Sequence, residues 1–71
     1  MNVSKETLRR SIRFYQDLIN YNRRQIKILI SEGHTEESLD LYIGNQSIEF
    51  YQKKIRECKI ELEVLFSKAY F

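Results

Sequence analysis

Apolar residues recur along this chain at alternating intervals of three and four positions. We call these positions the seam of each half. In the second half they are Leu41, Gly44, Ile48, Tyr51, Ile55, Cys58, Leu62, Leu65 and Ala69. The first half repeats the spacing at Leu8, Ile12, Tyr15, Ile19, Asn22, Ile26 and Leu29. Heptad spacing of this kind indicates two amphipathic helices whose seams pack against each other.

Capping residues set the expected ends of the two helices. Ser4 suits the N-cap of the first helix, and Gly33 suits the position after its end, where a left-handed backbone is required. Thr35 is expected to cap the second helix, because Glu36 and Glu37 would follow in its first turn. The sequence therefore predicts a single all-α hairpin domain over residues 1–71, with helix one at about 5–31, a turn at 32–35 and helix two at about 36–69.

Two further features of helix two can be predicted from the same pattern. Gly44-Asn45 could break this helix, with Asn45 capping a separate one. The heptad phase continues unchanged through Gly44, however, which favours an unbroken helix in which this glycine allows the backbones to approach closely. When residues are paired back from the turn, the N-terminal end of helix one lies opposite about residue 64 of helix two. The remaining tail would extend beyond helix one with three aromatic residues, Phe66, Tyr70 and Phe71.

Helix one carries more apolar surface than a hairpin can bury. Its second stripe, beside the seam, consists of Phe14, Leu18, Tyr21 and Ile28, and together the two stripes span roughly 160° of the helix. Helix two has a smaller second set at Leu39, Ile43, Phe50, Ile60 and Val64. Since two helices cannot cover all these side chains, we expect the hairpin to dimerise into a four-helix bundle or to bind a larger protein.

Length and composition exclude several classes of protein. A chain of 71 residues with no proline and two glycines favours one small domain made of long helices. No apolar run approaches the roughly 20 residues that span a bilayer, and arginines interrupt the N-terminal apolar positions. The single cysteine cannot form an internal disulfide. We therefore expect a cytoplasmic protein that holds neither a cofactor nor a metal ion.

The charges are distributed unevenly between the two halves. Residues 1–31 carry a net charge of +5 and residues 32–71 a net charge of −3. An arc of helix one is rich in arginine, whose planar fork suits phosphate and carboxylate. An alternative function is therefore anion binding, to nucleic acid or a nucleotide, through Arg9, Arg10, Arg13, Arg23, Arg24 and Lys27.

Two resemblances extend the alternatives. A two-helix dimer with a charged face is similar in plan to the small plasmid-copy-control RNA-binding hairpins, which would imply an RNA ligand. Helix two also resembles, more distantly, the small bacterial aspartyl-phosphatases of sporulation control, which carry Ser-Gln-x-Leu-Asp. The nearest segment here is Asn45-Gln46-Ser47-Ile48-Glu49, in which the serine and the aspartate are both replaced. That second resemblance would imply an aspartyl-phosphatase-like regulator.

Binding remains the function that the pattern favours. The sequence contains no nucleophile–base pair and no glycine-rich phosphate loop, so we expect no enzyme. We interpret the chain as a small adaptor, chaperone-like subunit or inhibitor of a larger protein. The residues expected to contact a partner, or a second copy, are Phe14, Leu18, Tyr21, Ile28, Phe66, Tyr70 and Phe71.

Overall fold

Two antiparallel helices form the whole of the described structure. The structure, a computed structural model, describes the backbone of residues 4–68 and the side chains of residues 4–67. Helix α1 spans Lys5–Ser31 and helix α2 spans Leu39–Lys68, and no strand occurs in this range. The hairpin measures 56 × 19 × 16 Å, and its radius of gyration of 16.2 Å exceeds the about 11 Å of a compact chain of this length. The predicted helical hairpin is therefore confirmed as an elongated rod.

The ends of α1 use the capping residues that the sequence predicts. The Ser4 hydroxyl accepts a hydrogen bond from the Thr7 backbone N–H at 3.1 Å. At the other end Gly33 has a φ of +97°, its N–H donates to the Ile30 carbonyl, and the His34 N–H donates to the Leu29 carbonyl. These two bonds define a Schellman motif, in which a left-handed residue ends the helix. Both predictions for α1 are confirmed.

Helix α2 begins three residues later than the sequence predicts. Thr35 does not cap it; its carbonyl instead accepts from the Ser38 N–H in a turn. The Ser38 carbonyl accepts the first helical bond, from the Tyr42 N–H, so Ser38 occupies the N-cap position. Residues 35–38 contain no apolar side chain, and an extra helical turn there would bury nothing against α1.

The core is small and lies entirely on the two seams. Its buried members among the described residues are Leu8 and Ile19 of α1, at 4% and 1% exposure, and Leu41 and Ile55 of α2, at 4% and 8%. The other seam residues within the described range are half-buried. Asn22, the polar seam residue of α1, donates its side-chain amide to the Leu18 carbonyl at 2.8 Å and so stays within its own helix.

The register of the two helices differs from the predicted one near the open end of the hairpin. The Lys5 ammonium lies 4.2 Å from the centre of the Phe66 ring, and the Arg9 guanidinium lies 5.8 Å from it. Phe66 therefore lies alongside the start of α1, although it is 42% exposed, and the prediction that it overhangs is wrong. The longer turn shifts α2 relative to α1 and brings Phe66 alongside. The other two aromatic residues of the predicted tail, Tyr70 and Phe71, lie outside the described residues.

Candidate functional site

Two tyrosines on the seams stack against each other, and the hairpin has one surface on each side of this stack. Tyr15 of α1 and Tyr51 of α2 have ring centroids 5.9 Å apart and an interplanar angle of 25°. Phe14 packs edge-on against Tyr15 at 5.7 Å, and Phe50 packs edge-on against Tyr51 at 5.7 Å. Heptad spacing predicts that both tyrosines lie on the seams. It does not predict that the two rings stack or that a phenylalanine packs edge-on against each of them.

Residues that follow the seam share one side of the hairpin. Gln16 follows Tyr15, and Gln52 follows Tyr51, and both line one depression between the helices. Because residues before and after a seam position point to opposite sides of a helix, the residues that precede it must share the other side. Phe14 and Phe50 therefore lie together, on the side opposite Gln16 and Gln52.

Much of the side that precedes the seam is apolar, and the Lys54 ammonium lies there 5.3 Å from the centre of the Phe50 ring. We call it the aromatic face. It retains high exposure in the hairpin: Phe14 is 59% exposed, Tyr21 53%, Ile28 48%, Ile43 53% and Phe50 53%. Leu18, on the same side, is half-buried. The structure thus brings the predicted second stripe of α1 together with two members of the smaller set of α2. The aromatic face consists of Phe14, Leu18, Tyr21, Ile28, Ile43 and Phe50.

The side that follows the seam is polar and carries arginines from both helices. Its depression, which we call the polar groove, has the buried side chains of Ile19 and Ile55 as its floor and polar side chains as its walls. Arg56 of α2 and Arg23 of α1 both line this depression. Sequence reasoning missed Arg56 because it lies in the half with net negative charge. The walls are formed by Gln16, Arg23, Gln52 and Arg56.

The remaining predicted anion-binding residues are spread along α1. Arg9, Arg10 and Arg13 line a shallow recess with Glu6 near the open end, and the Arg10 guanidinium pairs with the Glu6 carboxylate at 2.8 Å. Their side chains, like those of Arg23, Arg24 and Lys27, are exposed. The structure therefore divides the predicted set among the recess, the polar groove and the outer surface of α1.

Opposite charges do not hold the two helices together in the described part of the chain. The two ion pairs found among residues 4–67, Arg10–Glu6 and Lys54–Glu57, each lie within one helix. The opposite net charges of the two halves thus form no ion pair between the helices in this range, and the pairing of α1 with α2 rests on the seams.

The side chains with potential for chemistry are dispersed. No group of three His, Cys, Asp or Glu side chains that could hold a metal ion occurs in the described range. Burial raises the pKa of the half-buried Cys58 thiol, and the nearby carboxylates of Glu61 and Glu57 raise it further against the opposing effect of Lys54. The thiol is therefore held in its protonated, less nucleophilic form.

The segment compared with the aspartyl-phosphatase motif runs through the middle of α2. Ile48 is a half-buried seam residue, whereas Gln46 and Glu49 point to solvent. These residues form a regular part of helix α2.

Comparisons with known proteins give no match. No family model, no curated protein and no solved structure is similar to this chain at a significant level. Separately, neither helix in residues 4–68 is both long enough and apolar enough to cross a lipid bilayer.

Proposed function

We propose that this protein is a non-enzymatic protein-binding module, and that its aromatic face associates with a second copy of the chain to form a four-helix bundle. The observation that supports this most directly is the exposure of Phe14 and Phe50, one on each helix, beside the same tyrosine stack. The bundle would serve as an adaptor, chaperone-like subunit or inhibitor. We place it in the cytoplasm, where the lone half-buried thiol of Cys58 would remain reduced.

The size of the exposed apolar surface supports an interface on this face. Phe14, Tyr21 and Phe50 each expose more than half of their surface, which amounts to roughly 300 Å² at about 200 Å² for a whole aromatic side chain. The aliphatic members of the face add to this area. Patches of a few hundred Å² on small proteins commonly mark binding sites.

The small core supports a second copy as the occupant. The four buried side chains among the described residues give little hydrophobic stabilisation for a chain of this size, and proteins this small usually need an additional source of stability. A twofold dimer would place the same face of each copy in contact, so that one apolar surface supplies both sides of the new core. The adjoining seam tyrosines would become part of that core.

The experiment compares two substitutions on the same helix. Phe50→Asp places a carboxylate on the aromatic face, and Ile60→Asp places one at a side chain of similar exposure on the outer surface of α2. Both carry the same cost in helix propensity. In sedimentation velocity, Phe50→Asp should lower the sedimenting mass to that of the single chain, whereas Ile60→Asp should sediment as the wild type.

A third variant and a partner search complete the test. Phe14→Asp places the charge on α1 and should dissociate the assembly as Phe50→Asp does, because both side chains lie on the aromatic face. Equal sedimenting mass for wild type, Phe14→Asp and Phe50→Asp would contradict an interface at this face. A wild-type protein that is monomeric alone but captures a helix of a larger protein through Phe14 and Phe50 would replace the second copy with that partner.

A further inference from the structure

The polar groove is lined by one arginine from each helix. Arg23 of α1 and Arg56 of α2 line the same depression, flanked by Gln16 and Gln52. An anion bound in this depression would be attracted by both guanidinium groups. The groove is therefore a position where binding of an anion would stabilise the folded hairpin.

The groove arginines form no ion pair within the described residues. The ion pairs in residues 4–67 engage Arg10 and Lys54, so the guanidinium groups of Arg23 and Arg56 have no carboxylate within 4.0 Å there. A guanidinium group offers five donors in a planar fork that matches two oxygens of a phosphate. The amide groups of Gln16 and Gln52 add donors and acceptors on the same walls.

We propose that the polar groove binds single-stranded nucleic acid, with the phosphates of the strand along its arginines. The positive line extends beyond the groove, because Arg9 and Arg13 lie further along α1 toward the open end. Arg13 precedes Arg23 by ten residues, which is about 15 Å along a helix. A row of guanidinium groups of this length suits a polyanion better than one isolated carboxylate.

The shape and composition of the polar groove favour this ligand over two others. A peptide would need apolar anchor positions, and the floor of the groove, Ile19 and Ile55, is already buried in the hairpin core. The major groove of a DNA duplex is about 12 Å wide and takes one helix, whereas the hairpin is 19 × 16 Å in cross-section. Arginine and glutamine, by contrast, bind both phosphates and base edges.

This proposal goes beyond the association proposed above and does not depend on it. The polar groove and the aromatic face lie on opposite sides of the tyrosine stack, so both can be occupied at once. A dimer formed through the aromatic face would carry two such grooves on its outer surface. Loss of nucleic-acid binding with an unchanged sedimenting mass therefore separates the two proposals.

The test measures the fluorescence anisotropy of a labelled single-stranded RNA oligonucleotide of mixed sequence across a salt series. The full-length wild type should bind, and the logarithm of the association constant should fall linearly with the logarithm of salt concentration. Arg23→Gln/Arg56→Gln should bind at least about tenfold more weakly. Its salt slope should be shallower by about 1.4, because each phosphate of a single strand that the protein neutralises adds about 0.7 to the slope.

Two matched variants separate the groove from general electrostatics. Arg24→Gln/Lys53→Gln removes the same charge from exposed positions outside the groove and should bind within about twofold of the wild type. Arg23→Lys/Arg56→Lys keeps the charge but removes the planar guanidinium groups. It should keep the wild-type salt slope but bind with lower affinity. Circular dichroism would verify that each variant folds.

Three results would overturn the proposal. One is absence of RNA binding by the wild type at low salt. Another is an equal loss of affinity in the Arg24→Gln/Lys53→Gln control, which would mean that the charge acts without a defined site. The third is competition by an unlabelled duplex that is as strong as competition by the unlabelled single strand. This result would mean that the groove does not hold one extended strand.

Discussion

Ile26 of α1 packs against the backbone of α2 at Gly44. A β-carbon placed on Gly44 would lie 3.1 Å from Ile26 Cγ1 and 3.2 Å from its Cδ1. The gap in the apolar seam of α2 is thus a point of close approach between the helices. It explains why a glycine can be accommodated within a continuous helix, where it otherwise costs about 1 kcal/mol relative to alanine.

This close approach gives a prediction for Gly44 substitutions. Gly44→Ala gains helix propensity but forces Ile26 to move by a few tenths of an ångström, so its free energy of unfolding should stay within about 1 kcal/mol of the wild type. Gly44→Leu should lower it by about 2 kcal/mol or more, since the larger side chain overpacks the seam. Urea denaturation monitored by circular dichroism measures both.

A double-mutant cycle provides the control for that prediction. Ile26→Val removes Cδ1, one of the two atoms that the new β-carbon would meet. The Ile26→Val change should therefore cost less stability in the Gly44→Ala background than in the wild type. Equal costs in the two backgrounds would show that residues 26 and 44 are not in contact.

The cation–π contacts of Phe66 should stabilise the open end of the hairpin. Phe66→Leu keeps an apolar side chain but removes the ring beneath Lys5 and Arg9, so it should lower the free energy of unfolding by about 0.5 to 1 kcal/mol. Hydrogen exchange should accelerate at the first turns of α1. The control Ile60→Leu, on the outer surface of α2, should leave both quantities unchanged; acceleration there as well would refute the assignment.

The raised pKa of Cys58 predicts slow alkylation near neutral pH. Iodoacetamide should react with the folded chain more slowly than with the urea-unfolded chain, and the midpoint of its pH–rate profile should lie higher in the folded chain. Glu57→Gln/Glu61→Gln removes the carboxylates that disfavour the thiolate and should shift the midpoint downward. An identical profile for that variant would mean that those carboxylates have no influence on the thiol.

The raised pKa of the Cys58 thiol also predicts how the free energy of unfolding changes at alkaline pH. The folded chain holds the thiol proton more tightly than the unfolded chain, so above about pH 8.5, the ordinary thiol pKa, the unfolded chain has released it first. The contribution of Cys58 to stability is thus full below that pH and is lost as pH rises toward the raised folded pKa. Cys58→Ala should remove this part of the pH dependence in urea titrations.

The seam and the caps of α1 could be predicted from the sequence because they depend on local spacing. Leu8, Ile19, Leu41 and Ile55 are all seam positions, and they are the buried apolar side chains of the described residues. Heptad periodicity is a property of neighbouring residues, and so are the Ser4 cap and the left-handed Gly33.

The start of α2 and the polar groove depend on tertiary packing. Thr35 and Ser38 are both suitable caps, and the choice between them depends on what a further helical turn would bury. That Arg56 and Arg23 line one depression follows from the register of the helices, which the length of the turn determines. Periodicity within one helix cannot reveal that length.

The mass of the wild-type protein in solution tests the central claim most directly. Light scattering over about a hundredfold range of concentration should give twice the 8.7 kDa mass of the chain at every concentration, because the aromatic face would be buried between two copies. A mass of 8.7 kDa throughout that range would contradict the account.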